Sequence, residues 1–283
     1  IDAMIYDFNE PDLLELLKSL GSRLRIIIDD SGKTKNGKVS GHLSSESCES
    51  KAAKVLKSTA GKSNVMRGHF KTLQHNKVFI AKRNGVPFKV LTGSTNFSFR
   101  GLYIQANNVL VFSNDEIAKL FSQMFEIAFN DMDNFNTYPL ATKWHLVKPD
   151  NFPAVHICFS PHKSSDLSLN PVGGAIDQAD SSVLYAIAFL YQTKQGATRE
   201  AIDRVIKKPV FSYGVSDKKG DLELMKPDGS KGLVDFAYLA KNAPEPFKTE
   251  WSSGKGINIH HKFVVTDFNK PTAKLFTGSS NLS

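Results

Sequence analysis

A histidine and a lysine two positions apart occur twice in this chain, and each pair is followed at the same distance by a short polar motif. The first copy runs from His75-Asn76-Lys77 to Gly93-Ser94-Thr95-Asn96, and the second from His260-His261-Lys262 to Gly278-Ser279-Ser280-Asn281. Each copy spans 21 positions from histidine to asparagine (75 to 96, 260 to 281), so every matching pair is offset by 185. Two copies of a two-part pattern at identical spacing indicate an internal repeat.

The residue types in each copy suit the binding and transfer of a phosphate. On a strand, residues two apart point to the same face, so the histidine and lysine of each copy are expected to project together. Lysine supplies a positive charge, and histidine can attack phosphorus or donate a proton. The hydroxyl and amide groups add neutral hydrogen bonds. The donors predicted in this way are His75, Lys77, Ser94, Asn96, His260, Lys262, Ser279 and Asn281.

The second copy also has Asp267 five positions after its lysine, and the full pattern resembles that of the phospholipase D superfamily. The resemblance implies two copies that face each other across one shared site. It implies a covalent phosphohistidine on one histidine, while the other protonates the leaving group. It further implies Asp267 as a site residue, no metal and no cofactor.

The first copy departs from the family pattern at two places. Lys82 stands where the aspartate would be, and Asn107 and Asn108 lie where the family would have an acid that orients a histidine. A nearby cation lowers the pKa of a histidine, and a missing carboxylate fails to raise it. These differences predict a neutral His75 as nucleophile and His260 as general acid.

The formal net charge of +8 and the pI of about 9.3 favour an anionic partner. We expect that partner to be nucleic acid, and a segment containing Lys33, Lys35 and Lys38 is predicted to be a surface loop that could contact phosphates. The sequence predicts a phosphodiesterase, and within that class it favours an endonuclease. A phospholipase D or phosphatidyltransferase, and an inactive nucleic-acid-binding protein, are the alternatives.

The two cysteines, Cys48 and Cys158, fit neither a metal site nor a disulfide framework, which indicates a reducing compartment such as the cytoplasm. No apolar run approaches the roughly 18 residues that a membrane span needs.

Alternation of strands and helices predicts an α/β fold with two similar halves, each a mixed sheet flanked by helices, related by a pseudo-two-fold axis. The halves are predicted at 1–148 and 149–283 within one chain. The strand and helix at 155–182 have no counterpart before Ile1, and those at 108–129 have none after Ser283, so elements are expected beyond both ends. The predicted helices are 11–20 with Asn9 as N-cap, 49–58, 115–129, one from about 174, and 198–207 with Thr198 as N-cap.

Overall fold

The computed structural model describes residues 1–150, 152–190, 195–217, 224–225, 231–232, 244 and 257–282. The chain divides into two compact units. The first unit comprises Ile1–Ile104 and Asn108–Leu167, and the second comprises Gln105–Asn107 and Ser168–Ser283. The predicted two-fold relation between repeated halves stays a prediction.

The first unit contains a mixed sheet with a hydrophobic core on each face. The strands of the unit are β1 Asp2–Ile5, β2 Arg25–Ile28, β3 Gly32–Lys35, β4 Lys38–Gly41, β5 Val65–Arg67, β6 Val78–Arg83, β7 Val86–Gly93, β8 Val109–Phe112, β9 His145–Val147 and β10 Val155–Ile157. Strands β3 and β4 form one separate two-stranded sheet, and β9 and β10 form another. The six-stranded sheet has the order β5-β2-β1-β6-β7-β8, in which β5, β2 and β1 are parallel neighbours and the other pairs are antiparallel.

Among the described residues, four α-helices lie wholly in this unit: α1 Pro11–Ser19, α2 Cys48–Ala60, α3 Phe99–Tyr103 and α4 Asp115–Asp131. The apolar stripe of α4 packs with one face of the sheet, through residues such as Ile117, Phe121 and Phe125. Helices α1 and α2 bury Leu17 and Leu56 against the other face. The predicted helices at 11–20, 49–58 and 115–129 are therefore confirmed to within two residues at each end.

Two local predictions in this unit were wrong. Glu10 rather than Asn9 caps α1, because the Glu10 carboxylate accepts a hydrogen bond from the Leu13 N–H; Asn9 Oδ1 accepts from the Phe99 N–H. The segment predicted as a lysine-rich loop contains the hairpin β3–β4. Its turn is Asn36-Gly37, with φ of 51° and 74°, which is the geometry that favours this dipeptide in two-residue hairpins.

The second unit contains a four-stranded sheet. Its elements are α5 Asp166–Gln178 (which starts at the end of the first unit), β11 Ser182–Ile187, α6 Ala197–Val205, β12 Phe211–Val215, β13 Leu224–Met225, β14 Lys231–Gly232, β15 Lys262–Thr266 and β16 Lys274–Thr277. The sheet order is β12-β11-β15-β16, and Val183, Val264, Ile176 and Ile202 share one hydrophobic core with both helices.

The start predicted for α5 was wrong, whereas the helix predicted at 198–207 is confirmed to within two residues at each end and only its N-cap was wrong. Helix α5 begins at Asp166 rather than near 174 and contains Pro171. Helix α6 has Gly196 at its N-cap position, and Thr198 lies buried inside the first turn. Gly173 allows the two helices to approach closely, since a Cβ there would lie 2.7 Å from the Ala197 carbonyl oxygen.

The two sheets share one four-strand pattern. In the first unit β1 is parallel to β2 and antiparallel to β6, and β6 is antiparallel to β7. In the second unit β11, β12, β15 and β16 have the same relations. The repeated sequence motifs therefore lie at the ends of equivalent strands of two similar sheets.

Candidate active site

In the first unit, the His-x-Lys pair lies in the extended segment that enters β6. Lys77 is 1% exposed, and its Nζ donates a hydrogen bond to the His75 carbonyl oxygen at 2.7 Å. The same ammonium lies 4.7 Å from the centre of the Tyr6 ring, and the His75 ring packs edge-on against that ring with 4.7 Å between centroids. Tyr6, which directly follows β1, thus contacts both functional groups of the motif.

The second unit repeats this arrangement. Lys262 is 0% exposed, and its Nζ donates to the His260 carbonyl oxygen at 2.8 Å. Phe189 takes the place of the tyrosine: its ring centre is 5.6 Å from the Lys262 Nζ and 6.1 Å from the His260 ring. In each unit, therefore, the lysine is buried beside an aromatic ring. Its side chain turns back and bonds the backbone carbonyl of the histidine two positions earlier.

Burial lowers the pKa of Lys262 from 10.5 to about 7. Desolvation disfavours the charged amine, and an anion bound next to it would restore the charged form. A buried lysine of this kind suits a site whose ligand is a phosphate.

The Gly-Ser-x-Asn motif of the first unit sits where β7 ends. Ser94 N–H donates to the Asn108 carbonyl oxygen and Asn108 N–H donates to Ser94 Oγ, both at 2.9 Å. Gly93 has φ of +150°, and a Cβ there would lie 2.3 Å from the Asn108 carbonyl oxygen. The glycine and serine of this motif therefore hold the end of β7 close to the segment that leads into β8.

The two motif asparagines share an unusual feature. The side-chain oxygen Oδ1 of Asn96 and that of Asn281 are both buried and have no hydrogen-bond partner among the described residues. A buried polar atom without a partner is costly, and such atoms are uncommon in folded proteins. A ligand or water that donates to these oxygens would remove that cost. Ser279 is half-buried.

Asn107 contacts His260 in the second unit. The segment Gln105–Asn107 runs beside the approach to β15: Ala106 N–H donates to the Asn258 carbonyl oxygen at 2.8 Å, and His260 N–H donates to the Ala106 carbonyl oxygen at 2.9 Å. Asn107 Oδ1 accepts from His260 Nδ1 at 2.8 Å. This bond keeps the proton on Nδ1 and leaves Nε2 for chemistry. The amide thus orients the histidine of the second copy without the charge of a carboxylate, so the missing acid no longer favours His75 over His260 as the nucleophile.

Asp267 lies at the opposite end of β15 from His260. Its Oδ1 accepts from the backbone N–H groups of Asp180, Ser181 and Ser182 at 2.8 to 3.3 Å and from the Ser181 hydroxyl at 2.9 Å. These bonds hold the pKa of Asp267 below its usual value. The side chain fastens the end of β15 to the start of β11, and the structure does not bring it to the histidine.

Lys82 occupies the equivalent end of β6. It pairs with Asp2 at the start of β1 and with Glu126 on α4. Seven positions of extended chain separate it from His75, roughly 23 Å at 3.3 Å per residue. Lys82 therefore gives no reason to expect a neutral His75, because the ammonium is distant and paired with carboxylates.

One group of metal-ligand type lies near the first motif within the described part of the chain. Asp7, His42 and Glu49 have ligand atoms within 4.8 Å of one another, and His42 Nδ1 also contacts Asp29 Oδ2 at 2.8 Å. The His42 ring also packs edge-on against the Tyr6 ring, with 4.8 Å between the ring centroids. The expected metal independence stays a prediction.

Sequence reasoning did not find Tyr6 and Phe189, and it treated Asn107 only as the place of an absent acid. The signal for the aromatic pair was weak, since a tyrosine matches a phenylalanine at an offset of 183 rather than 185. None of the helices in the described residues is both long and apolar enough to cross a membrane.

Comparisons with known proteins bear on these clusters. Residues 1–128 match the family model described as cardiolipin synthase, PLD-like domain. The structure is similar to the phospholipase D family member Nuc from Salmonella typhimurium, at 22% identity and a TM-score of 0.35, over 45% of this chain and 76% of Nuc. It is also similar to polyphosphate kinase from Porphyromonas gingivalis, at 9% identity and a TM-score of 0.52. That match covers 99% of this chain and 37% of the kinase, and it concerns the fold alone. No curated protein matches the sequence significantly.

Proposed function

We propose, from the match of residues 1–128 to the PLD-like domain model, that the chain is a phosphodiesterase of the phospholipase D superfamily acting through a phosphohistidine. The observation that carries the proposal is the repeated cluster: in each unit a buried lysine lies beside a histidine and an aromatic ring, where the chain enters an equivalent strand. One such cluster binds a phosphate. Two allow one histidine to attack while the other protonates the leaving oxygen.

In the proposed reaction His75 attacks phosphorus and His260 donates a proton from Nε2 to the leaving oxygen. Asn107 keeps the remaining proton of His260 on Nδ1, which fixes the ring for that transfer. Lys77, Lys262, Asn96 and Asn281 hold the phosphate oxygens. The reaction requires both histidines to reach one phosphate, as the repeat predicts. Water then attacks the phosphohistidine, and the neutral imidazole of His260 takes its proton.

We propose nucleic acid as the substrate. The net charge of +8 attracts polyanions over long range. The hairpin β3–β4, which contains Lys33, Lys35 and Lys38, is exposed at every position, so its ammonium groups are accessible to backbone phosphates. Affinity that depends on such contacts falls steeply as salt rises, because bound counterions are released.

A phospholipid is the second candidate, and one specific observation favours it. Phe99, Leu102, Tyr103 and Ile104, on and just after α3, are 42 to 62% exposed. Gly101 of the same helix packs so tightly on the motif that a Cβ would lie 2.1 Å from the Asn96 carbonyl oxygen. An exposed apolar segment fixed to a phosphate-binding motif could insert among acyl chains, as interfacial segments do.

The test is a side-by-side assay on labelled single-stranded DNA, duplex DNA, RNA and vesicles of phosphatidylcholine and phosphatidylglycerol. The proposal expects cleavage of a nucleic acid that His75→Ala or His260→Ala abolishes. His156→Ala, which changes an exposed histidine of the first unit, is the matched control and should leave the rate unchanged. Turnover of vesicles alone, reduced by Tyr103→Ser, would favour the second candidate. Turnover of neither substrate class would refute the proposal.

A further inference from the structure

A buried aspartate follows β2 and holds the backbone next to His75. Asp29 is 0% exposed, and its Oδ1 accepts a hydrogen bond from the N–H of Gln74, the residue before His75, at 2.6 Å. Oδ2 of the same carboxylate accepts from the Ser31 N–H at 2.9 Å and contacts His42 Nδ1 at 2.8 Å. Both oxygens of Asp29 are therefore engaged, one of them by the segment that carries the histidine.

A second buried aspartate stands at the matching place in the second unit. Asp217, two residues after β12, is 4% exposed. Its Oδ1 accepts from the N–H groups of Asn258 at 2.6 Å and Ile259 at 2.8 Å. Ile259 directly precedes His260. The two carboxylates thus make the same contact, to the peptide group that leads into each histidine.

Strand register shows that the two aspartates are equivalent. Asp2 pairs with Arg25 and Ile80 in the first sheet, and Leu184 pairs with Tyr213 and Val265 in the second. The strands β6 and β15 thus correspond at an offset of 185 (80 to 265). The strands β2 and β12 correspond at 188 (25 to 213), and the aspartates have that same offset of 188 (29 to 217). A comparison at 185 alone would match Asp29 to Gly214 and miss the relation.

We propose that Asp29 and Asp217 are positioning residues that set the places of His75 and His260. The inference rests on the proposed function, because it assigns the anchors to its two reacting groups. A buried carboxylate is costly unless it is hydrogen-bonded, and charge-assisted bonds to backbone N–H groups are short and strong. Each anchor therefore fixes the peptide next to a histidine that lies just outside its strand. A displacement of about 1 Å in a reacting group can cost roughly 100-fold in rate.

The two anchors differ in a way that sharpens the test. The bonds described for Asp217 both use one oxygen, so Asp217→Asn can keep an oxygen acceptor for Asn258 and Ile259. Asp29 uses both oxygens, so Asp29→Asn must turn an amide NH2 toward at least one donor. Asparagine should therefore rescue the second anchor and fail at the first.

The experiment measures kcat and KM on a phosphodiester with a good leaving group, and the nitrogen-15 NMR titration of His260, in the full chain. We expect Asp217→Ala to lower kcat about 100-fold with little change in KM, and to change the chemical shift and tautomer signature of His260. Asp217→Asn should stay within about tenfold of the native rate. Asp29→Ala and Asp29→Asn should both lose about 100-fold. Asp180→Ala, which changes an exposed aspartate of the second unit, is the matched control.

Two sets of results would overturn the inference. One is an Asp217→Ala protein with native kcat and a native His260 titration. The other is folded Asp217→Asn and Asp29→Asn proteins that behave alike in both measurements. If Asp217→Ala does not fold, the comparison of Asp217→Asn with Asp29→Asn still tests the inference. A native protein that turns over no phosphodiester would refute the proposed function, while the NMR titration of His260 would still test the anchor at Asp217.

Discussion

Replacing Lys262 with methionine should stabilise the second unit, and the gain should shrink as pH rises. Burial lowers the pKa of Lys262 from 10.5 to about 7. A difference of about 3.5 pH units corresponds to about 5 kcal/mol of free energy, at 1.36 kcal/mol per unit. Methionine has a similar volume and no charge to desolvate, so it removes this cost.

The sign follows from proton binding. Below pH 7 the amine is charged in both states, and its burial weighs fully against the folded state. Between pH 7 and 10.5 the unfolded chain binds the proton and the folded chain does not, so stability rises with pH. The advantage of Lys262→Met over the native protein should therefore be of the order of 5 kcal/mol at pH 6. It should fall by about 2 to 3 kcal/mol between pH 7 and pH 9.

Urea unfolding at pH 6 to 9, monitored through the hydrogen exchange of the β15 amides, measures this difference in the free energy of unfolding. Lys274→Met on the neighbouring strand is the control, because Lys274 is exposed and its removal should have a small effect. Inorganic phosphate should stabilise the native protein and not Lys262→Met. An advantage that stays constant from pH 6 to 9, or native stability above that of Lys262→Met at pH 6, would refute the reasoning.

Three further outcomes are expected. Activity should persist in EDTA; a full loss that magnesium restores would contradict metal independence and direct attention to Asp7, His42 and Glu49. Asp267→Ala should lower the free energy of unfolding by about 2 kcal/mol with little change in kcat, because the carboxylate fastens β15 to β11 rather than touching the histidine; a loss of kcat in a stable protein would count against this. Asn107→Asp should raise the pKa of His260 by about one unit or more and move the alkaline limb of the pH–rate profile upward; an unchanged profile would show that the contact does not act on the general acid.

Much of the fold could be predicted because the chain repeats itself. The constant offset of 185 placed both His-x-Lys pairs before equivalent strands, and the apolar runs after them are β6 and β15. The stripe of α4 gave its core face directly. Residues 33–47 were harder, because the Asn36-Gly37 turn signal lies among lysines and serines that favour a loop on composition alone.

The site residues that belong to the repeated motifs could be predicted from the sequence, and those that lie outside the motifs could not. Asn107 and His260 are 153 positions apart in the sequence. The backbone hydrogen bonds of Ala106 that bring them together are not encoded by any local pattern. Asp29 and Asp217 are related at 188 rather than 185, so only the strand register aligns them. Asp267 and Lys82 show the opposite error. The sequence pattern put Asp267 in the site and Lys82 near His75, whereas each fastens the far end of its strand to the start of a neighbour.

The most direct test of the central claim is to trap the phosphoenzyme on a substrate with a good leaving group, which needs little help from an acid. Quenching in alkaline denaturant, in which a phosphohistidine survives, followed by mass spectrometry, would compare the native protein with His75→Ala and His260→Ala. We expect His260→Ala to form an acid-labile phosphohistidine at His75 and His75→Ala to form none. Adduct in His75→Ala alone would exchange the two roles. The absence of adduct from the native protein and both variants would contradict the phosphohistidine mechanism itself.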